Sequence, residues 1–172
     1  MNIKDLKKHT EGPCVIVMVG SSGSGKSTLA RKLANEDHEI LSSDHYREVL
    51  CGDVAEQSLN SVVFQMIYDI TKKRSTFRCR TILDSTNLRR RDRKAYYGPV
   101  TKGLPTYAIL VDTPESVCKE RQLQRDRQVP EFVIEKHAMR FAQSKQNIID
   151  EVEKWTGIFR YDSESGEVEL LR

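Results

Sequence analysis

No stretch of about 18 apolar residues occurs in the chain, so an ordinary membrane-spanning helix is not expected. The opening segment, Met1 to Thr10, is polar and mixed in charge, without the apolar centre of a secretory signal. Cysteine is sparse. Cys14, Cys51, Cys79 and Cys118 stand apart, no two form C-x-x-C, and no Cys/His group has zinc-ligand spacing. Thiols scattered in this way suit a reducing compartment, and a cytoplasmic location is expected. Internal repeats, low-complexity tracts and long Gly/Ser/Pro linkers are also lacking. One domain over residues 1–172 follows as the expectation, because a chain of this length can bury one core.

What is present is a moderately apolar, heavily charged chain: 38% hydrophobic and 31% charged residues, with a net charge of only +3. That small net value hides segregation. Lys72 to Lys94 holds ten Lys/Arg and two Asp, whereas Ile148 to Arg172 holds three Lys/Arg and seven Asp/Glu. A basic middle and an acidic tail suggest that one face meets an anion, nucleic acid or nucleotide.

The apolar pattern alternates strand-like and helix-like segments. Cys14 to Val19 is a continuous apolar run, as in a strand buried on both faces. Further strands are predicted over Glu39–Ser42, Thr81–Asp84, Tyr107–Val111 and Ile158–Tyr161, with an edge strand over Val168–Leu171. Helices are predicted over Ser27–Ala34, His45–Leu50, Ser58–Lys73, Arg89–Tyr97 and Glu115 towards Arg125, the latter with Thr113 as N-cap and Pro114 at its first position. A last helix is expected to begin at Pro130 and run to Phe141 or on towards Trp155, before Gly157 breaks the pattern. The alternation predicts a three-layer α/β fold with a mostly parallel sheet.

Between the first strand and its helix lies Gly20-Ser21-Ser22-Gly23-Ser24-Gly25-Lys26-Ser27, a full G-x-x-x-x-G-K-[ST] phosphate loop, followed by Thr28. Its glycines permit a tight turn that aims successive N–H groups at phosphate oxygens, and the helix behind adds the positive end of its dipole. Lys26 has the reach for the β- and γ-phosphates, and the Ser27 hydroxyl suits Mg2+. The loop therefore predicts ATP and Mg2+ as ligands and an α/β P-loop NTPase fold.

P-loop enzymes also place a carboxylate at a strand end near the metal. Asp44, Asp84 and Asp112 each follow a strand-like run. Asp112 reads best as a helix entry, because Thr-Pro follows it. Asp44 stands beside Arg47, and Asp84 beside Ser85, Thr86 and Asn87, so both are site candidates. Arg121 and Arg125 are four residues apart and would share a helix face, with Arg127 close behind. Such a cluster suggests a lid over about residues 115–141 whose planar forks grip the phosphates being transferred; the alternative is a solvated helix paired with Glu120 or Asp126. The run Arg89, Arg90, Arg91, Arg93 and Lys94 would track a nucleic-acid backbone or form a solvated helix face. Tyr96 and Tyr97 would stack on bases or, more commonly, pack the helix on the sheet.

Taken together, the loop Gly20 to Thr28, the block Ser42-Ser43-Asp44-His45-Tyr46-Arg47, the block Leu83-Asp84-Ser85-Thr86-Asn87 and the stretch Val117 to Arg121 through Arg127-Gln128-Val129 resemble the polynucleotide 5′-hydroxyl kinases in order and spacing. The resemblance is to the kinase module of bacterial and phage end-healing polynucleotide kinase-phosphatase enzymes, over about Val15 to Phe141. It implies ATP-dependent phosphorylation of nucleic acid with 5′-OH ends, DNA or RNA, in nucleic-acid repair. It also implies Asp44 as the general base, Arg47 as the residue holding the acceptor phosphate, and Arg121, Arg125 and Arg127 as lid arginines on the donor. Asp84, Thr86 and Asn87 match a block lining the site. The family's frequent phosphatase partner is not expected, since no D-x-D-x-[TV] motif occurs; a stand-alone kinase, a module of a larger end-healing enzyme and a homo-oligomer stay open. Two rivals remain: a P-loop kinase of a small molecule (sugar, nucleoside or antibiotic), and a non-catalytic nucleotide-dependent RNA-binding module. A GTPase switch is disfavoured, since N-K-x-D is missing.

Overall fold

In the computed structural model, residues 1–125, 128–150 and 153–172 are described. The architecture grows from β1 (Val15–Val19), all five residues of which are buried. Its side chains alternate between two apolar clusters: Val15, Val17 and Val19 on one side, Ile16 and Met18 on the other. A strand apolar on both faces has to sit inside a sheet covered by helices, and β1 does so. The strands β2 (Ile40–Ser42), β3 (Thr81–Asp84), β4 (Thr106–Asp112), β5 (Gly157–Asp162) and β6 (Val168–Leu170) complete a six-stranded sheet in the order β2-β3-β1-β4-β5-β6. Its first five strands are parallel neighbours and β6 pairs antiparallel with β5.

One face is covered by α1 (Ile3–His9) and α2 (Lys26–Leu33), through Leu6, Leu29, Ala30 and Leu33. The other face carries α4 (Asn60–Thr76) and α7 (Glu131–Ile149). Buried Val63, Ile67, Thr71 and Ser75 recur every fourth residue of α4, a single buried stripe, apolar in its first half, of the kind that binds a helix to a sheet. The remaining helices are α3 (Ser43–Cys51), α5 (Arg90–Arg93) and α6 (Glu115–Leu123). The result is a three-layer α/β P-loop NTPase fold with a mostly parallel sheet. No helix among the described residues is long and apolar enough to cross a membrane.

The structure departs from the sequence reading at several ends. Ile3–His9 form a helix, because Asn2 and Asp5 make a reciprocal capping box: the Asn2 side chain accepts from Lys4 N at 2.8 Å and Asp5 N at 3.1 Å, and Asp5 Oδ2 accepts from Asn2 N at 2.9 Å. The basic segment is only one α-turn, Arg90–Arg93, tightening to a 3-10 turn over Lys94–Tyr97. Thr113 does not cap α6; its hydroxyl donates instead to the Ser24 carbonyl at 2.9 Å. The helix closes at Leu123, where Arg125 N turns back to Gln122 O at 3.1 Å, so Arg125 lies beyond the helix rather than on one face with Arg121. Helix α7 stops at Ile149, short of the buried Trp155. Strand β5 opens at Gly157 itself, one residue before the predicted start at Ile158.

Candidate active site

The parallel strands β1, β2 and β3 end on the same side of the sheet, and the site assembles there. The loop after β1 turns through Gly23 and Gly25, at φ +85° and +95°, conformations that L side chains adopt only under strain. A Cβ on Gly23 would stand 2.6 Å from the Cys118 carbonyl oxygen, so this turn is seated directly on α6. Gly25 is also the N-cap of α2, and among the described residues no side chain caps that helix. Its first-turn N–H groups therefore face the loop, an arrangement suited to an anion.

Lys26 begins α2 and is buried, with Nζ donating to Ser21 O at 2.6 Å and, more weakly, to Ser24 Oγ at 3.5 Å. Burial lowers its pKa to about 8, opposed chiefly by the negative charge of Asp84. Asp84 ends β3 and is itself buried, which raises its carboxyl above the usual range. A hydrogen bond with the Ser27 side chain and the Lys26 charge oppose that rise. Ser27, Lys26 and Asp84 thus form one tight polar group at the floor of the loop.

The register Ser42↔Asp84 sets the end of β2 beside that floor, and α3 starts immediately afterwards. This carries Asp44 close enough for its charge to act on Asp84. Arg47, one helical turn on, donates to Asp44 Oδ1 at 2.6 Å and grips Asn60 Oδ1 through Nε at 3.0 Å and Nη2 at 2.8 Å. The Arg47 side chain is 7% exposed and that of Asp44 57% exposed, so the arginine is a fixed wall and the carboxylate faces solvent.

Thr86 joins this site through its carbonyl and Asn87 through its side-chain amide. Thr86 O accepts from Gly20 N at 3.1 Å, and Asn87, at φ 46°, donates from Nδ2 to Met18 O at 2.8 Å. Arg121 approaches the loop from α6: its Nη1 lies 3.0 Å from Ser163 Oγ and 3.4 Å from Ser24 O. Arg125 is exposed, yet near enough to the floor for its charge to act on Lys26. Arg127 falls outside the described residues. Of the other candidates, Asp112 is engaged by Lys145 at 2.8 Å and Arg160 at 2.7 Å, which hold its carboxyl below the usual range and make it a structural anchor rather than a cap. Tyr96 is buried, and Tyr97 packs edge-on against Trp155 with ring centroids 5.0 Å apart.

Two contributors escape any sequence motif. Asn60 holds Arg47 from the start of α4. His137 of α7 reaches the outer turn of the loop, with Nδ1 3.2 Å from Ser22 Oγ and 3.5 Å from Ser22 N across 115 residues of chain. Neither has a local signature, since only tertiary packing brings them in.

The floor suits Mg2+. That ion needs only one or two protein oxygens when phosphates and water fill its other positions, and Ser27 and Asp84 supply a hydroxyl and a costly buried carboxylate. No group of three or more His, Cys, Asp or Glu among the described residues forms a dedicated cage for a metal.

The AAA domain family model matches residues 15–147. No curated protein matches the sequence. Among solved structures, a chain of the Pnkp1/Rnl/Hen1 RNA repair complex superposes with a TM-score of 0.67 at 22% identity, over 79% of this chain and 46% of that one, so this chain spans less than half of that relative's length. A gluconokinase from Sinorhizobium meliloti 1021 superposes with a TM-score of 0.51 at 20% identity, over 74% of each chain. A deoxyadenosine kinase from M. mycoides, with products dCMP and dCDP bound, gives 0.50 at 18% identity over 87% of this chain and 90% of that one. At these identities the shared property is the fold, one that P-loop kinases use.

Proposed function

The chain belongs to the AAA domain family, and from that premise we propose that it is an ATP-dependent kinase that phosphorylates the 5′-hydroxyl end of a polynucleotide. The observation that carries this reading is the Asp44–Arg47 pair, a solvent-facing carboxylate on a buried arginine at the mouth of a phosphate loop. A loop alone serves any nucleotide hydrolase. A base beside a cation, offset from the loop by one strand, serves an acceptor that brings both a hydroxyl and a phosphate.

In the proposed reaction the acceptor's 5′-oxygen attacks the γ-phosphorus of ATP in line. A new P–O bond forms, the bond to the β,γ-bridging oxygen breaks, and ADP leaves. The proton of the attacking hydroxyl passes to the Asp44 carboxylate. Among the described residues, Asp44 and Asn60 occupy three N–H donors of Arg47. The remaining donors of that fork hold the acceptor's phosphate. Lys26 exchanges the Ser21 carbonyl for donor phosphate oxygens, and Arg121 and Arg125 close on the same charge. Held by Ser27 and Asp84, Mg2+ would supply further neutralisation of the β- and γ-phosphates. The protein's contribution is position and fixed charge, because this transition state gathers charge on oxygen.

The fold is shared with kinases of sugars and nucleosides, so the acceptor is the point to test. Labelled ATP is offered with 5′-OH DNA, 5′-OH RNA, nucleosides, nucleoside monophosphates and sugars. Transfer to the oligonucleotides alone is expected. Turnover on a neutral sugar with none on an oligonucleotide would overturn the reading.

A further inference from the structure

The phosphate loop is held from outside the sheet at two neighbouring residues. Gly23 rests on the Cys118 carbonyl of α6, and Ser22 meets His137 of α7. The two helices are in turn bound to each other: Lys119 Nζ of α6 lies 2.7 Å from Glu131 and 2.8 Å from Glu135 of α7. Helices α6 and α7 therefore form a bracket around the glycine-rich turn. The Ser22 N–H can only donate, so His137 Nδ1 is the acceptor and the ring proton belongs on Nε2.

We propose that His137 is a positioning residue for the donor nucleotide: as a neutral acceptor it pins Ser22, and with it the outer turn of the phosphate loop, to the bracket of α6 and α7. The proposal rests on the reading of this loop as a nucleotide site. Its physical basis is entropic. A turn through two left-handed glycines has many conformations to lose when its N–H groups converge on phosphate, and an anchor that removes some of them beforehand leaves more of the interaction energy for binding. The surroundings maintain the neutral form. Burial, with Lys26 from the loop and Lys136 and Arg140 from its own helix, pushes the imidazole down to about 4. A cation there would turn Nδ1 into a donor facing another donor.

The contrast between asparagine and glutamine tests the atom rather than the bulk. Asparagine's Oδ1 sits near the place of Nδ1, whereas glutamine extends its oxygen towards the place of Nε2. Affinity of the intact chain for a non-hydrolysable ATP analogue with Mg2+ is measured by titration calorimetry at pH 7.5, alongside Tm. His137→Ala and His137→Gln are expected to weaken binding about tenfold, the worth of one well-placed hydrogen bond, while His137→Asn stays within about threefold of the wild type. Folded His137→Ala and His137→Gln proteins that bind as the wild type does, or an Asn variant as weak as Ala, would overturn the role of His137 alone. Should His137→Ala fail to fold, the Gln-against-Asn difference decides. A wild-type chain that binds no nucleotide overturns this inference together with the nucleotide reading. Tight nucleotide binding without transfer to any 5′-OH end leaves the His137 result intact and removes only the proposed acceptor.

Discussion

Two arginine–carboxylate pairs in this chain have similar distances and opposite surroundings. Arg93 and Glu153 are both 0% exposed, and the guanidinium meets both carboxylate oxygens at 2.5 and 3.0 Å. Further groups of the pair are engaged inside the protein: Trp155 Nε1 donates to Glu153 at 3.1 Å, and Arg93 also donates to Asn87 O at 2.8 Å and Ser144 Oγ at 3.2 Å. The Arg47–Asp44 contact is as short, at 2.6 Å, but its carboxylate is mostly in solvent. A closed pair has nothing left to offer a ligand and everything to lose on mutation. A half-open pair contributes little to stability and leaves its carboxylate within reach of solvent.

The largest expected effect lies on the open pair. Asp44→Asn preserves size and hydrogen bonding but not basicity, so single-turnover transfer is expected to fall by about 10² to 10⁴-fold. ATP affinity and Tm should stay close to wild type. If Asp84→Asn instead loses transfer with ATP affinity preserved, while Asp44→Asn stays active, the two carboxylates exchange roles and the comparison breaks.

Next comes the closed pair. Glu153→Ala strands a buried guanidinium and is expected to cost ~3–5 kcal/mol in urea unfolding, without any direct part in the reaction. A loss below 1 kcal/mol, on the order of what an exposed pair contributes, would show that the burial contrast has no energetic meaning.

Lys26 belongs to neither pair and sharpens the comparison by titration. Its pKa falls from 10.5 to about 8 in the folded protein, so the unfolded chain holds more protons between those values. Stability conferred by this group therefore rises with pH across that window, while under the proposed role of the Lys26 ammonium ATP affinity is expected to decline above about 8. Denaturation midpoints and nucleotide titrations at pH 7 to 10, with Lys26→Met as the reference, are expected to diverge in these opposite directions.

The smallest effect contrasts two arginines in the same basic run. The Arg91 side chain is 73% exposed, and Arg91→Ala should weaken oligonucleotide binding slightly and reduce the log–log salt slope by about one. Arg93, internally satisfied, contributes no phosphate contact to that slope.

The same run shows how far the sequence could be read. The phosphate loop, β1 and β3 are legible because their signals are local: a motif, an apolar run and its turn. Arg93 looks like its neighbours until Glu153 arrives from 60 residues away, and Asp112 looks like a helix cap until Lys145 and Arg160 reach it. His137 and Asn60 carry no pattern at all. Helix α1 is a different case, since its capping box was present at Asn2 and Asp5 but its single buried residue, Leu6, left no periodicity to read.

The Gly20–Thr86 and Asn87–Met18 bonds tie the end of β1 to the turn after β3. The phosphate loop and the end of β3 are consequently one welded plate, whereas Asp44, Arg47 and Asn60 ride on α3 and α4, outside those two bonds. For redesign this is a natural seam. Under the proposed reaction, α3 and the start of α4 are the part to exchange when a new hydroxyl substrate is sought, with the phosphate loop kept as a common handle.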